Sequence, residues 1–397
     1  MASTPALDRI DDTVQRRSAD LVALSHAIHA EPELAFAEHR SCAKAKALLA
    51  ERGFEITAAV GGLDTAFRAD FGSGPLAVGV CAEYDALPEI GHACGHNIIA
   101  AAGVGAALAL ADVADELGLR VALLGTPAEE FGGGKVLLLD AGVFDDLAVS
   151  VMVHPGPIDI AAARSLTLSA VRVIYHGKES HASAAPFLGI NAADAVTVTQ
   201  VAIGLLRQQL APGQQMHGIV TEGGQVANVI PGRTQLEYTM RAPDATSLAD
   251  LEAKLGDCFL AGAVATGCDF HVEQTEPMYD ALRPDPWLAD TVRAEMTRLG
   301  RAPLAKEYEA AVPLGSTDMG NVTQVLPGIH PMVGLDAGGA SLHQADFTAA
   351  AIAPSADKAV LDGAIMLART VVRLAESSEQ RDRVLAAQEQ RAREKQR

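Results

Sequence analysis

Three short stretches concentrate the residues able to bind a metal ion or move a proton. The first is GHACGHN at 91–97, where His92, Cys94 and His96 alternate, so that an extended turn points them the same way. Thiolate and imidazole both suit zinc and related ions, which makes Cys94 and His96 a candidate half-site. A glycine-punctuated loop with incidental histidines is the bland alternative. The second stretch, TPAEEFGGG at 126–134, sets Glu129 beside Glu130. Adjacent carboxylates repel each other, and a nearby cation lets both stay ionised. One of such a pair can ligate metal while the other handles the proton of a water; a solvated acidic turn is again the alternative. The glycines resemble a phosphate loop, but Val136 follows Lys135 where Ser or Thr is required, so that reading fails. The third is His154, which closes the apolar run AVSVMVH ahead of Pro155.

The elements around these residues decide whether they can meet. LAVGVCAEYD (76–85), VALLGT (121–126) and AVSVMVH (148–154) read as buried strands. Between them, NIIAAAGVGAALALADVADEL (97–117) reads as one helix and KVLLLDAG (135–142) as a short helix ended by Gly142. Such alternation predicts a parallel or mixed sheet wrapped by helices, an α/β fold. Each strand ends in a candidate: Asp85 with the Cys94/His96 loop, then Glu129/Glu130, then His154. Ligand sites of open α/β sheets gather at the carboxyl ends of the strands, so the coincidence favours a metal centre.

Upstream, helical spacing occurs near 12–30 and 38–52, separated by Pro32. After about residue 165 the pattern changes to strands at 166–177, 217–224, 235–243 and 268–276, with helices near 190–210 and 246–260. Helical sequence returns at 287–300 and 355–375. The expected architecture has two domains. A discontinuous α/β catalytic domain spans 1–165 and 276–397, with an α+β domain inserted over 166–275. The charged tail from about 376 reads either as a frayed helix or as a disordered segment.

A chain of 397 residues suits two domains. Lys and Arg number 31 against 50 Asp and Glu, a formal charge of -19. That field repels nucleic acid and anionic membranes, so neither is an expected partner. No apolar run reaches the ~20 residues of a membrane span, and the start lacks the apolar core of a signal peptide. Five irregularly spaced cysteines offer no disulfide framework. A cytoplasmic location is the expectation.

Seven segments, in order, resemble the aminoacylase and glutamate-carboxypeptidase-like metallopeptidases. They are HAEPELAFAE (29–38), AEYDALPEIGHACGHN (82–97), GTPAEE (125–130), MVHPGP (152–157), HGKESHASAAP (176–186), GGQVANVIPG (223–232) and GSTDMGN (315–321). Within that family the chain is most similar to the branch of indole-acetyl-amino-acid hydrolases, p-aminobenzoyl-glutamate hydrolases and aminoacylase-like dipeptidases. The resemblance implies two divalent ions (Zn, Mn or Co) held by Cys94, His96, Glu130, His154 and His343, with Cys94 bridging. It makes Glu129 the general base and acid, and Asp85 the group orienting a ligand imidazole. His181 would stabilise the oxyanion in the partner subunit's site of a homodimer, whose dimer interface the inserted domain would form. Asn228 and Arg241 would bind substrate, and the loop of Ser316, Thr317 and Asp318 would line the site.

The implied reaction is hydrolysis of the amide bond of dipeptides, N-acyl amino acids or aryl-acyl glutamates. Asn97 departs from the Asp that many relatives carry after the motif's second histidine. Two rivals stand beside this reading: a thiol hydrolase using Cys94 with His96 as base, and a non-catalytic metal-binding homologue.

Overall fold

A computed structural model describes residues 3–312 and 315–395. Twelve strands occur among them: β1 (Glu55–Ala58), β2 (Phe67–Phe71), β3 (Leu76–Ala82), β4 (Leu119–Gly125), β5 (Val149–Val151), β6 (His154–Gly156), β7 (Thr167–His176), β8 (Gln215–Glu222), β9 (Arg233–Ala242), β10 (Asp269–Gln274), β11 (Gly328–Ile329) and β12 (Met332–Gly334). The chain divides into two compact units. Residues up to Arg164 and from Leu282 onward form one, and Ser165–Ala281 the other.

The first unit holds a six-stranded sheet in the order β1-β2-β4-β3-β5-β11. β4, β3, β5 and β11 run parallel, as the alternation of strand and helix predicts. β2 is antiparallel to β4, and β1 to β2, so the sheet is mixed. β1, at the sheet edge, is mostly exposed, and β2 is only partly buried, its FRADF carrying charges instead of an apolar run. β3 is buried along its whole length, which is what its unbroken apolar sequence requires. Helix His96–Ala111 is likewise buried at every residue. It packs on β3 and against helix Pro354–Glu376, so an Ala-rich sequence with little amphipathicity is what fits there.

Two local readings change. The helix expected over 97–117 stops at Ala111, and a single turn, Ala114–Leu117, follows. The break falls at Asp112, whose carboxylate is held by Thr13 at 2.6 Å and Arg52 at 2.8 Å. The strand expected over 148–154 splits into β5 and β6, and its neighbour splits in step into β11 and β12. Pairing crosses the gap through Met152 N–H to Ile329 O (3.1 Å) and His154 N–H to Pro331 O (2.9 Å). The tail is a helix, Ser378–Lys395. It is docked by buried Val384, by Arg383 on Asp285 at 2.8 Å and by Gln388 on the Asp146 carbonyl at 2.6 Å. Its last two residues lie outside the described ones.

The second unit is a four-stranded antiparallel sheet, β10-β7-β9-β8. Helices Ala192–Leu206 and Ala245–Thr266 pack on it around Val173, Tyr175, Leu236, Leu251 and Phe259. β9 buries every second residue, as a sheet covered on one face demands. Paired main-chain bonds between Leu168 and Tyr279 keep 276–281 with this unit. Among the described residues no helix is long and apolar enough to cross a membrane.

Candidate active site

The chain leaves β3 through Glu83 and Asp85, turns through a bridge between Leu87 and Gly91, and enters helix His96–Ala111 just after Cys94. Gly95 takes φ +76°, and a Cβ there would sit 2.5 Å from Pro155, so glycine alone lets the Cys94 loop meet the β6 end. From β4 the chain passes Ala128, held at φ +61°, and presents Glu129 and Glu130. The buried Glu38 carboxylate accepts the Ala128 N–H at 2.9 Å and the Thr65 hydroxyl at 2.8 Å, which fixes this strained turn. Burial, then the nearby Asp85 charge, push Glu38 up to about 7.

Asp85 ties two elements together. One oxygen lies 3.0 Å from His96 Nδ1, and the other accepts the Glu130 N–H at 2.9 Å. Burial opposes its ionisation, but His96 outweighs that and its carboxyl is held below the usual range. With Nδ1 so engaged, His96 Nε2 faces Glu83 at 3.6 Å, Glu129 at 3.7 Å and Glu130 at 3.8 Å. His154 Nδ1 donates to the Pro155 carbonyl at 2.6 Å, which turns the Nε2 lone pair toward Cys94 Sγ, 3.5 Å away. His343 Nε2 lies 3.4 Å from Glu130. Its backbone is held at φ +65° and its N–H bonds the Ala93 carbonyl. The His343 side chain is exposed while the others are buried.

Three sets of donor atoms converge within 4.8 Å: Cys94/His96/His154, Cys94/Glu130/His343 and Glu83/His96/Glu129. Cys94 belongs to the first two. Glu129 lies between these groups with its carboxyl pushed well up, by burial first and then by Glu83 and Glu130. Burial pushes the Cys94 thiol up too, with Glu130 adding to it. Among the described residues, His96 Nε2 and Glu130 Oε1 are buried without a hydrogen-bond partner. Carboxylates and a thiol crowded away from water, with imidazole lone pairs aimed among them, are what divalent cations would satisfy. The donor set fits metal.

His92 does not join, although it alternates with Cys94 and His96. It is in none of the three sets and packs instead toward His29, ring centroids 6.0 Å apart. Asn97 spends its amide on Ser25 at 2.8 Å and the Ala351 carbonyl at 2.9 Å, anchoring its helix and not the cluster. In the second unit, His181 is exposed, and its Nδ1 accepts the Ser183 and Ala184 N–H groups at 3.3 and 3.2 Å. That leaves Nε2 as the outward donor. Asn228 is exposed beside it, its carbonyl accepting the Ala182 N–H at 2.9 Å. Arg241 is half-buried near the far end of β9, paired across to Leu168 and Gln215.

Sequence reasoning missed a buried ion network at the cluster's edge. Lys135 Nζ lies 2.5 Å from both Glu83 and Asp318, and its backbone N–H bonds Asp318 at 2.8 Å. All three side chains are inaccessible. The network pins the Thr317–Asp318 loop to the end of β3. The signal was a lysine opening an apolar helix, read only against a phosphate loop. Lys135→Met strands two buried carboxylates, with an expected loss of about 3–5 kcal/mol. The check is the urea midpoint of the metal-free protein. Adding Asp318→Asn should recover part of the loss, and an unchanged midpoint in Lys135→Met would refute the assignment.

A sheet with carboxylate, imidazole and thiol donors at its strand ends is the frame of a hydrolase. A model of peptidase family M20/M25/M40 matches residues 79–371, and the chain belongs to that family. It is a hydrolase of amide bonds. It is 40% identical over 383 residues to the Xaa-Arg dipeptidase of Mus musculus, covering 92% of this chain and 87% of that protein. To a p-aminobenzoyl-glutamate hydrolase chain from Escherichia coli K12 it is 28% identical, over 65% of this chain and 58% of that one. Its fold is similar to that of a Bacillus subtilis protein described as a dinuclear metal binding peptidase, with TM-score 0.69 and 21% identity. That likeness covers 91% of this chain and 99% of the other.

Proposed function

We propose that the protein is a metal-dependent dipeptidase acting on N-acyl or aminoacyl amino acids. The observation that carries this reading is Cys94 shared between two candidate ligand sets, with the Glu129 carboxylate beside them. Cys94, His96, Glu130, His154 and His343 would hold two divalent ions, which supply Lewis acidity and lower the pKa of a water. Glu129 takes that water's proton and returns it to the leaving nitrogen. Asp85 keeps the His96 ring turned so that Nε2 faces the cluster.

Dipeptides ending in a basic residue head the substrate class, because the mouse relative carries that name; N-acetyl amino acids and p-aminobenzoyl-glutamate are the comparison set. Arg241 suits the substrate carboxylate, which a guanidinium can clamp with two parallel hydrogen bonds.

The working form is a homodimer. β8 is a sheet edge with Ile219 and Val220 exposed, and Val201 and Leu205 are exposed four residues apart on helix Ala192–Leu206. Such an edge is covered readily by a second copy. His181 and Asn228 lie where β7 ends at His176 and β9 begins at Arg233, whereas Arg241 lies eight residues further along β9, about 26 Å away. One small site cannot be served by both ends of one strand. Two copies resolve this, since the two ends of β9 then serve different sites, with His181 completing the partner's.

A strong chelator should abolish hydrolysis of an Xaa-Arg dipeptide, and Zn²⁺, Mn²⁺ or Co²⁺ should restore it. The structure does give Cys94 imidazole neighbours, His154 at 3.5 Å and His96 in the same donor set. A thiol held protonated by burial is nevertheless the reverse of an activated nucleophile. Full activity in metal-free protein, lost only on thiol alkylation, would establish the thiol hydrolase instead.

A further inference from the structure

His330 lies in the connection between β11 and β12, at the carboxyl end of the strand next to β5. It stands in step with His154: main-chain bonds from Met152 to Ile329 and from His154 to Pro331 flank it on both sides. The two imidazole rings meet edge to face, centroids 5.3 Å apart at 69°. His330 is 6% exposed, and neither ring nitrogen has a hydrogen-bond partner among the described residues. The adjacent main chain cannot supply one readily, since Pro331 has no N–H and its carbonyl is taken by His154.

Leaving a buried polar group unpaired is costly, and such groups call for an explanation. Packing does not provide one. His330 is surrounded in sequence by buried Ile329 and Met332, where a phenyl ring would fill the same space at no polar cost. Metal ligation does not either. The three donor sets close within 4.8 Å of one another, and His330 is in none of them. A group that the substrate brings into the site beside His154 would supply that partner.

We infer that His330 is a substrate-binding residue of this site, hydrogen-bonding an amide group that the substrate brings beside His154. An uncharged imidazole presents one donor and one acceptor, the two functions that the carbonyl and N–H of a peptide group match. The inference rests on reading the Cys94–His154 cluster as the amide-hydrolase centre.

The test is steady-state kinetics on an Xaa-Arg dipeptide, with metal content and thermal midpoint measured on the same preparations. His330→Phe is expected to lower kcat/KM by about 10–100-fold, the worth of one buried hydrogen bond to substrate, with metal content and midpoint held. His330→Asn or His330→Gln should recover part of the loss, Asn if Nδ1 makes the bond and Gln if Nε2 does. These two variants also decide the matter if the Phe variant fails to fold. A kcat/KM within twofold of wild type in the Phe variant overturns the inference, as does a loss that follows metal content. Glu129→Gln run alongside separates the two readings: if it stays active, the catalytic assignment fails, and if it is dead while His330→Phe is fully active, only the role of His330 fails.

Discussion

Glu129→Gln should lower kcat by about 10²–10⁴-fold, the usual worth of a positioned general base, while metal content stays at the wild-type level. The neighbouring Glu130→Gln should behave differently. Glu130 faces His96, His343 and the Cys94 set, so if it is the proposed ligand, removing its charge should lower metal content along with activity. Ala128 at φ +61°, the Glu38 carboxylate on its N–H and the Asp85 carboxylate on the Glu130 N–H fix the turn that presents both side chains, and the proposed roles divide between them. Metal analysis after gel filtration, paired with kcat on one dipeptide, checks it. Equal metal loss in both variants would show that Glu129 is a ligand and that the base lies elsewhere.

The strand ends were legible because buried parallel strands announce themselves. Seven consecutive buried residues in β3, and five of the seven in β4 after its first two, leave an apolar record that no exposed element copies. Once three such strands are placed, Asp85, Glu129 and His154 fall at one end of the sheet by topology alone. β1 and β2 left no such record, since the exposed edge strand β1 and the partly buried β2 beside it need no apolar run.

The same limit explains the site residues that escaped notice. Glu83 and Lys135 each alone read as a surface charge, and the motif that puts Asp318 in a site-lining loop does not show that it pairs with Lys135. Only the fold brings them within 2.5 Å. His330 sits in a short apolar stretch that resembles core, and its lack of partners appears only once its neighbours are known. Conversely, alternation misplaced His92, because Gly91 and Gly95 at positive φ bend the loop away from an extended path. Arg241 and Asn228 were both assigned to substrate from their motifs, but it is the register of β9 that sends them to opposite ends of one strand.

That separation makes the largest claim about assembly testable. His181→Ala should be nearly inactive, by about 10²–10³ in kcat, because an oxyanion donor acts where charge develops in the transition state. The variant should stay folded and metal-loaded. His181 is exposed and, among the described residues, its side chain bonds only its own loop, so its loss leaves no buried group unpaired. Glu129→Gln should be inactive for an unrelated reason, in the unit that bears the proposed metal ligands. Unfolding the two variants together and refolding them with metal mixes their subunits. In a mixed dimer, the site built on the His181→Ala chain has its own Glu129 and receives a wild-type His181 from the partner, whereas the other site lacks both. At equal mixing, half the dimers are mixed and each has one complete site of two, so roughly a quarter of wild-type activity should return. Refolding each variant alone controls for damage, and subunit exchange is followed with a tag on one of them. If exchange is complete and no activity returns, or if sedimentation finds only monomers in the active protein, His181 does not act across an interface.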